Sequence, residues 1–322
     1  MSDYTEQTAL IPLDQKIIDP DTYFDHNRAP ANLQPAHDQV ISFIDSHESS
    51  RPIVLVTSGG TTVPLENNTV RFVDNFSGGA RGSSSAEQFL ELGYLVIFLH
   101  RENSLQPFNR HYTQGLMSYL ELDRDSQGGM RVKPEFAAQV RSDLTRYEAC
   151  KDRLLQISFT TLSDYLFLLR EVSMILAPMG ARSMFYLAAA VSDFFIPSHS
   201  MAEHKIQSGE GDLTLRMNQV PKFLRPLVKN WAPRCFIVSF KLETDEQLLE
   251  PKAKYALEKY GHQIVVANLL HTRKWQVWLV TRDEEPCLLQ VPVEELKHGR
   301  DIEQDIVAEL ARRHEVFMSN AS

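Results

Sequence analysis

Two glycine-rich segments are placed where a chain could grip a phosphate. Thr57-Ser58-Gly59-Gly60-Thr61 directly follows an apolar run, and Asn75-Phe76-Ser77-Gly78-Gly79-Ala80-Arg81-Gly82 directly precedes the serine-rich start of a helix at Ser83. Glycine lets backbone N–H groups come close to an anion, and a helix N-terminus adds unpaired donors and the positive end of a dipole. The spacing is neither a Walker loop nor a regular G-x-G-x-x-G, because Gly78-Gly79-x-x-Gly82 lacks the first alternation. In Ala188-Ala189-Ala190-Val191-Ser192-Asp193, small residues at the end of a buried strand leave room for a ligand. A carboxylate there, Asp193, must be solvated or paired. Glu203-His204-Lys205-Ile206-Gln207 offers a lysine able to neutralise a triphosphate or a developing negative charge. Phe240 and Asn268 end two further apolar runs, an aromatic face to stack on a nucleobase and an amide to read its donors and acceptors. Taken singly, each has a plainer reading: alanines that admit a helix, a surface lysine, a core Phe, a strand-terminating Asn.

The elements that must carry these residues follow from hydrophobic patterning. Continuous apolar runs at 53–57, 95–99, 184–191, 236–239 and 264–267 have strand length and no polar face. They alternate with helical patterns at 83–92, 163–176, 221–231 and 245–260, which indicates a mainly parallel sheet covered by helices on both faces. Strands at 275–281 and 287–291 read as a C-terminal hairpin, and a final amphipathic helix spans 301–317. Residues 1–32 read as an N-terminal arm interrupted by Pro12, Pro20 and Pro30, with Tyr23 and Phe24 as anchors. Residues 33–322 read as a single Rossmann-like α/β domain, in which the polar stretch 101–134 is an excursion or lid.

Composition excludes several classes. The 322 residues carry 33 Lys plus Arg against 42 Asp plus Glu, a formal charge of −9, which speaks against nucleic acid or an anionic membrane as partner. Cys150, Cys235 and Cys287 are odd in number and widely spaced, so neither a disulfide framework nor a cysteine zinc site is expected. No apolar run approaches the roughly 20 residues of a membrane helix. Asp3 and Glu6 sit where a secretory signal would be basic, so the expected location is cytoplasmic. The histidines show no metal-ligand spacing, and no G-x-S-x-G elbow is present.

Together the segments resemble one family, the phosphopantothenate–cysteine ligases in their stand-alone eukaryotic form. The resemblance rests on Val56-Thr-Ser-Gly-Gly-Thr-Thr-Val-Pro-Leu-Glu66, Val70-Arg-Phe-Val-Asp-Asn-Phe-Ser-Gly-Gly-Ala-Arg-Gly82 and Phe185-Tyr-Leu-Ala-Ala-Ala-Val-Ser-Asp-Phe194. Glu203-His-Lys-Ile-Gln-Ser208, Val238-Ser-Phe-Lys-Leu-Glu-Thr244 and Val265-Val-Ala-Asn268 complete it, so that it covers nearly the whole chain. It implies a homodimer that joins 4′-phosphopantothenate to L-cysteine with ATP and Mg²⁺, through an acyl-adenylate. It also implies residue roles: Gly59, Ser77, Gly79 and Gly82 on the nucleotide phosphates, and Phe240 and Asn268 near the base. Asn75, Ala189, Ala190 and Asp193 would hold phosphopantothenate, with Asn75 bonded to the reacting acyl group. Arg71 would reach the substrate phosphate of the neighbouring subunit, and Lys205 would serve the second half-reaction. Lys205 matches the first lysine of a bacterial K-x-K-K motif, but Gln207 and Ser208 replace the last two; Lys222, Lys241, Lys252 and Lys254 are the candidates to compensate. The competing classes are a Rossmann-type nicotinamide oxidoreductase and an inactive nucleotide-binding scaffold. Against the first, His100-Arg101 stands where an acidic ribose ligand would be.

Overall fold

The run Ile53-Val54-Leu55-Val56 has no polar side, so it must be covered on both faces, and it lies inside the sheet with each of the four at most 1% exposed. The computed structural model describes residues 19–123, 128–208 and 211–321. In it, eight strands form one sheet: β1 (Ile53–Ser58), β2 (Leu95–Arg101), β3 (Leu154–Phe159), β4 (Ser183–Leu187), β5 (Phe236–Glu243), β6 (Ile264–Leu269), β7 (Gln276–Val280) and β8 (Cys287–Gln290). Their spatial order is β8-β7-β6-β5-β4-β1-β2-β3. The strands from β1 to β6 pair parallel to one another, while β7 and β8 run antiparallel as the C-terminal hairpin. The order reverses direction between β1 and β4. In doubly wound sheets, the crevice beyond the strand ends at such a point is where ligands bind.

Helices cover both faces. They are α1 (Pro20–His26), α2 (Leu33–Asp45), α3 (Ala80–Glu91), α4 (Pro134–Glu148), α5 (Leu162–Leu176), α6 (Glu246–Tyr260) and α7 (Ile302–Ala321). Successive side chains of a strand point to opposite faces. Ile53 and Leu55 accordingly join Val40 of α2 and Leu166 of α5 in one core, and Val54 and Val56 join Phe89 of α3 and Ile306 of α7 in the other. α6 closes a third cluster through Leu249 and Leu257 against Val265 and Ala267 of β6. α5 starts on a capping box, in which Thr161 accepts from the Asp164 N–H and the Asp164 carboxylate accepts from the Thr161 N–H.

Several elements differ from the patterning. The run 184–191 is strand only to Leu187, after which Ala188 to Asp193 turns along the end of β1. The pattern at 221–231 is a short helical turn (Leu224–Pro226) running into a π-turn (Leu227–Trp231), since Pro221 and Pro226 lack the N–H of a regular helix. The edge strand β3 alternates Gln156 and Ser158 with apolar residues, so it lacks the continuous run that marks its neighbours. Of the segment read as an arm, residues 1–18 lie outside the described residues. Within 19–32, Pro20 begins α1, where its missing N–H costs nothing. The Tyr23 ring packs 5.3 Å from Phe195 and 5.2 Å from Phe223, and that of Phe24 lies 4.9 Å from Phe167. Within 101–134, of which 124–127 lie outside the described residues, strands Leu120–Asp123 and Gly129–Val132 form an antiparallel hairpin.

Candidate functional site

The crevice between β1 and β4 is built by backbone contacts made beyond the two strands. The Ala190 N–H donates to the Gly59 carbonyl at 2.8 Å, and the Thr61 N–H donates to the Ala190 carbonyl at 3.1 Å. Thr61 is fully buried and acts as the hub. Its carbonyl accepts the Asn75 N–H at 3.1 Å, and its hydroxyl accepts the Ser192 N–H at 3.0 Å. The Thr57 hydroxyl does the same for the Ala189 N–H at 3.1 Å. Asn75, Ala189 and Ala190 are thereby held around one short stretch of chain. The half-buried Asn75 side chain has no hydrogen-bond partner among the described residues and is free to meet a ligand.

The glycines are required by close approach. Gly59 and Gly79 both have φ +83°, a region that favours glycine. A Cβ on Gly59 would stand 2.6 Å from Cβ of Arg101, and one on Gly82 would stand 2.4 Å from Ser58 Oγ, so α3 can approach β1 closely only through Gly82. Gly79 caps α3, its carbonyl accepting from the Ser58 and Ser83 hydroxyls, and its N–H donates to Ser77 Oγ at 3.4 Å. The first-turn N–H groups of Ala80, Arg81 and Gly82 have no partner inside the helix, which suits this end, directly beside β1, to an anion. Gly59, Ser77, Gly79 and Gly82 therefore gather at one place.

A second hollow, of about 340 Å³, opens beside the first segment and is lined by Ala189, Asp193, Lys222, Phe240 and Lys241 among others. Phe240 packs edge-on to Tyr186 at 4.8 Å, and the Tyr186 hydroxyl lies 2.7 Å from that of Ser85 in α3. Asp193 is exposed and pairs with Lys222 at 3.1 Å. Asn268 is buried, donating to the Lys241 carbonyl at 2.6 Å and accepting from Arg81 at 3.3 Å. Those two partners fix which way its amide faces, since the flipped amide would set donor against donor and acceptor against acceptor. Arg81 in turn pairs with Glu303 at 2.8 Å. Burial holds the Glu303 carboxyl above the usual range although the Arg81 charge pulls it down. Of the lysines considered as substitutes, Lys222 and Lys241 line this hollow; Lys252 pairs with Glu243 at 2.9 Å and Lys254 with Glu250 at 2.7 Å. Burial opposes ionisation of Glu243, yet the hydrogen bonds from Lys252 and Lys241 leave its carboxyl below its ordinary value.

Arg71 and Lys205 form a third group and line neither the hollow nor the glycine cluster. Arg71 Nη1 donates to Glu66 Oε1 at 2.9 Å and to the Ile206 carbonyl at 3.0 Å. Lys205 is exposed and makes no ion pair among the described residues. Gly60, Thr61, Glu66 and Arg81 belong to the structure of the site without having been assigned to it from sequence. All four lie within the quoted motifs, but their roles rest on contacts with backbone or with distant residues that spacing does not disclose.

The fold and these groups define a doubly wound α/β protein with a glycine-rich helix end at its switch point and a hollow beside it. Residues 172–315 match the model of the DNA/pantothenate metabolism flavoprotein C-terminal domain. The phosphopantothenate–cysteine ligase CAB2 of Saccharomyces cerevisiae is 44% identical over 93% of this chain and 87% of its own length. The phosphopantothenate–cysteine ligase of Homo sapiens is 48% identical over 84% of this chain and 88% of its own. A solved structure of a Cab2 mutant in complex with phosphopantothenate-cysteine superposes with a TM-score of 0.85 at 43% identity, covering 94% of this chain and 99% of that one. The chain belongs to the phosphopantothenate–cysteine ligase family. Neither the oxidoreductase nor the inactive scaffold draws support from these relatives.

Proposed function

We propose that this protein joins 4′-phosphopantothenate to L-cysteine at the expense of ATP, giving 4′-phosphopantothenoylcysteine, AMP and pyrophosphate in coenzyme A biosynthesis. A single observation carries the reading beyond kinship. The loop of Ala189 and Ala190 and the amide of Asn75, unpartnered among the described residues, are joined through Thr61, and the helix end at Gly79 is tied to the same strand end through the Ser58 hydroxyl, which supports a phosphate site and an acyl site in one crevice.

In the first half-reaction the substrate carboxylate attacks the α-phosphorus and pyrophosphate leaves. The N–H groups at the start of α3 bind the triphosphate, and Phe240 stacks on the base. Asn75 is neutral, so it donates to an acyl oxygen without repelling the incoming carboxylate. A preorganised donor of this kind is worth ~3 kcal/mol in a site closed to water. In the second half the cysteine amine attacks the acyl carbon and AMP departs. The Lys205 ammonium stabilises the charge on the leaving phosphate. Ala189 and Ala190 leave space for the pantothenate arm, and Asp193, with Lys222 beside it, bonds to its polar groups.

The homodimer is part of the same proposal: Arg71 of each chain serves the substrate phosphate in the crevice of the other, where its planar fork suits a phosphate. Mg²⁺ is expected with the triphosphate. Among the described residues no three His, Cys, Asp or Glu side chains converge on one point. These residues do not form a protein cage for the ion, which commonly keeps its waters and binds through phosphate oxygens.

The deciding experiment supplies ATP, phosphopantothenate and cysteine and follows AMP and pyrophosphate. Release that requires both other substrates is the expected result. Release of ADP and phosphate would remove the adenylate mechanism.

A further inference from the structure

Glu66 is a carboxylate with no exposed surface, and nothing in the reaction above uses it. Its Oε2 accepts the N–H groups of Val70 at 3.2 Å and Arg71 at 3.0 Å, and its Oε1 accepts Arg71 Nη1 at 2.9 Å and the Ile206 N–H at 3.4 Å. An ionised carboxylate offers about four acceptor positions, and here donors fill them all. The Ile206 donor lies 140 residues away in sequence, and Arg71 Nη1 ties the same residue a second time by donating to its carbonyl. The hydrogen bonds, first that from the Arg71 N–H, hold the Glu66 carboxyl below its ordinary value, so it stays charged.

The same segment is fixed on the other side of Lys205. The Asn67 N–H donates to the Ala202 carbonyl at 2.9 Å and the Asn68 N–H to the Glu203 carbonyl at 3.1 Å. The Asn67 and Asn68 amides donate to the Glu203 carboxylate at 3.0 and 3.2 Å. Lys205 therefore sits between two clamps, Glu203 and Ile206, while its own side chain extends free.

We infer that Glu66 is a positioning residue that locks the Arg71 guanidinium and the Lys205 loop into one unit, so that substrate-phosphate binding and the second half-reaction share a single buried support. The inference rests on the roles proposed above for Arg71 and Lys205. A misplacement of about 1 Å in such groups can cost on the order of a hundredfold in rate. Glu66→Gln keeps the volume but has one acceptor oxygen, and its NH₂ must face two of the four donors. The unit should loosen at both ends.

The test compares the full-length parent with Glu66→Gln, Arg71→Ala and Lys205→Gln, using ATP, phosphopantothenate and cysteine. Glu66→Gln is expected to raise KM for phosphopantothenate about tenfold, as is Arg71→Ala, and to accumulate acyl-adenylate in a single turnover, as is Lys205→Gln. A variant merely short of folded protein would lower kcat alone, with KM and the intermediate fraction unchanged; that outcome overturns the positioning role. If Arg71→Ala and Lys205→Gln themselves leave KM and intermediate unaltered, the functional reading fails and takes the inference with it. Should Glu66→Gln not fold, Asn67→Ala combined with Asn68→Ala loosens only the lysine clamp, at two exposed positions. The intermediate should then accumulate with KM for phosphopantothenate unchanged, and an unaltered intermediate level would overturn the coupling.

Discussion

Gly60 lies against the Asn75 carbonyl so closely that a Cβ at Gly60 would stand 1.7 Å from that oxygen. The neighbour is backbone, which cannot swing aside as a flexible side chain would. Gly60→Ala must therefore displace Asn75, the Ala190 loop, or both. The expected outcome is a loss of roughly a hundredfold in kcat/KM for phosphopantothenate, from a shift of about 1 Å at the acyl site. Steady-state pyrophosphate release measures it, and a Gly60→Ala enzyme of parental activity would show that Asn75 need not be held there.

ATP is expected to outperform CTP, an expectation that comes from the resemblance to the stand-alone eukaryotic ligases. Initial rates of pyrophosphate release at matched nucleotide concentrations measure it. Equal rates would mean that the hollow lined by Phe240 does not separate a purine from a pyrimidine.

Lys205 and Asn75 should fail at different steps. On the role proposed for it, Lys205→Gln removes a charge used when AMP leaves, so acyl-adenylate should build up. Asn75→Ala removes a donor to the acyl oxygen, so the adenylate should form slowly and be poorly retained, with a loss of ~3 kcal/mol in transition-state stabilisation. Mass spectrometry of quenched single-turnover mixtures reads both. Equal intermediate levels in the two variants and the parent would defeat this division.

The sheet was legible where strands are buried on both faces, because Val54 to Val56 or Val265 to Ala267 leave no polar side to mistake. β3 was not, because an edge strand with Gln156 and Ser158 resembles a loop. The strand ending at Leu187 was overrun by four residues, since the alanines that follow are as apolar as a strand and turn only because Gly59 and Thr61 bond to Ala190. Motif glycines were visible, but the reason for Gly82 lies in Ser58, 24 positions earlier. Glu66 and Arg71 are five residues apart and could have been paired from sequence. Their joint hold on Ile206 could not.

Stability should fall as pH drops below neutrality, through buried histidines. Burial pushes His314 from 6.5 to about 4 in the folded chain, against a hydrogen bond to the Ala181 carbonyl that pulls the other way. The neighbouring Tyr94 hydroxyl lies 2.9 Å from Nδ1. His262 is likewise pushed from 6.5 to about 4 by burial, with the Arg282 charge adding to it. The unfolded chain then binds more protons between these values, so the stabilisation is full above pH 6.5 and is lost as pH falls through about 4. Each histidine accounts for at most about 3 kcal/mol of stability across that whole range. The depressed carboxyls of Glu66 and Glu243 act below their usual 4.5, outside most of the window, and the raised Glu303 acts in the opposite sense. Comparing unfolding midpoints of the parent and His314→Phe from pH 7 to 4.5 isolates one share. A parental slope in the variant would show that His314 does not titrate in this way.

The active sites should be shared between two copies of the chain. Within one chain, Arg71 is tied to Glu66 and Ile206 while the crevice is built around Thr61, Asn75 and Ala190, and Asp193 lines the hollow beside it. In the extended stretch from Phe72 to Asp74 each residue advances ~3.3 Å, so Arg71 and Asn75 at its two ends do not readily converge on one ligand. On the proposed dimer, a second copy would resolve this by presenting its own Arg71 to the phosphate of a substrate held at Asn75. The alternative is that Arg71 serves only the ion pair with Glu66. Mixing Arg71→Ala with Asp193→Ala, at phosphopantothenate well below the KM of either variant and under conditions that let subunits exchange, separates the two. If sites are shared, a mixed dimer carries one site with both lesions and one with neither, and up to half of its capacity returns. If Arg71 acts within its own chain, every site keeps one lesion and the mixture gains no activity over the two variants alone.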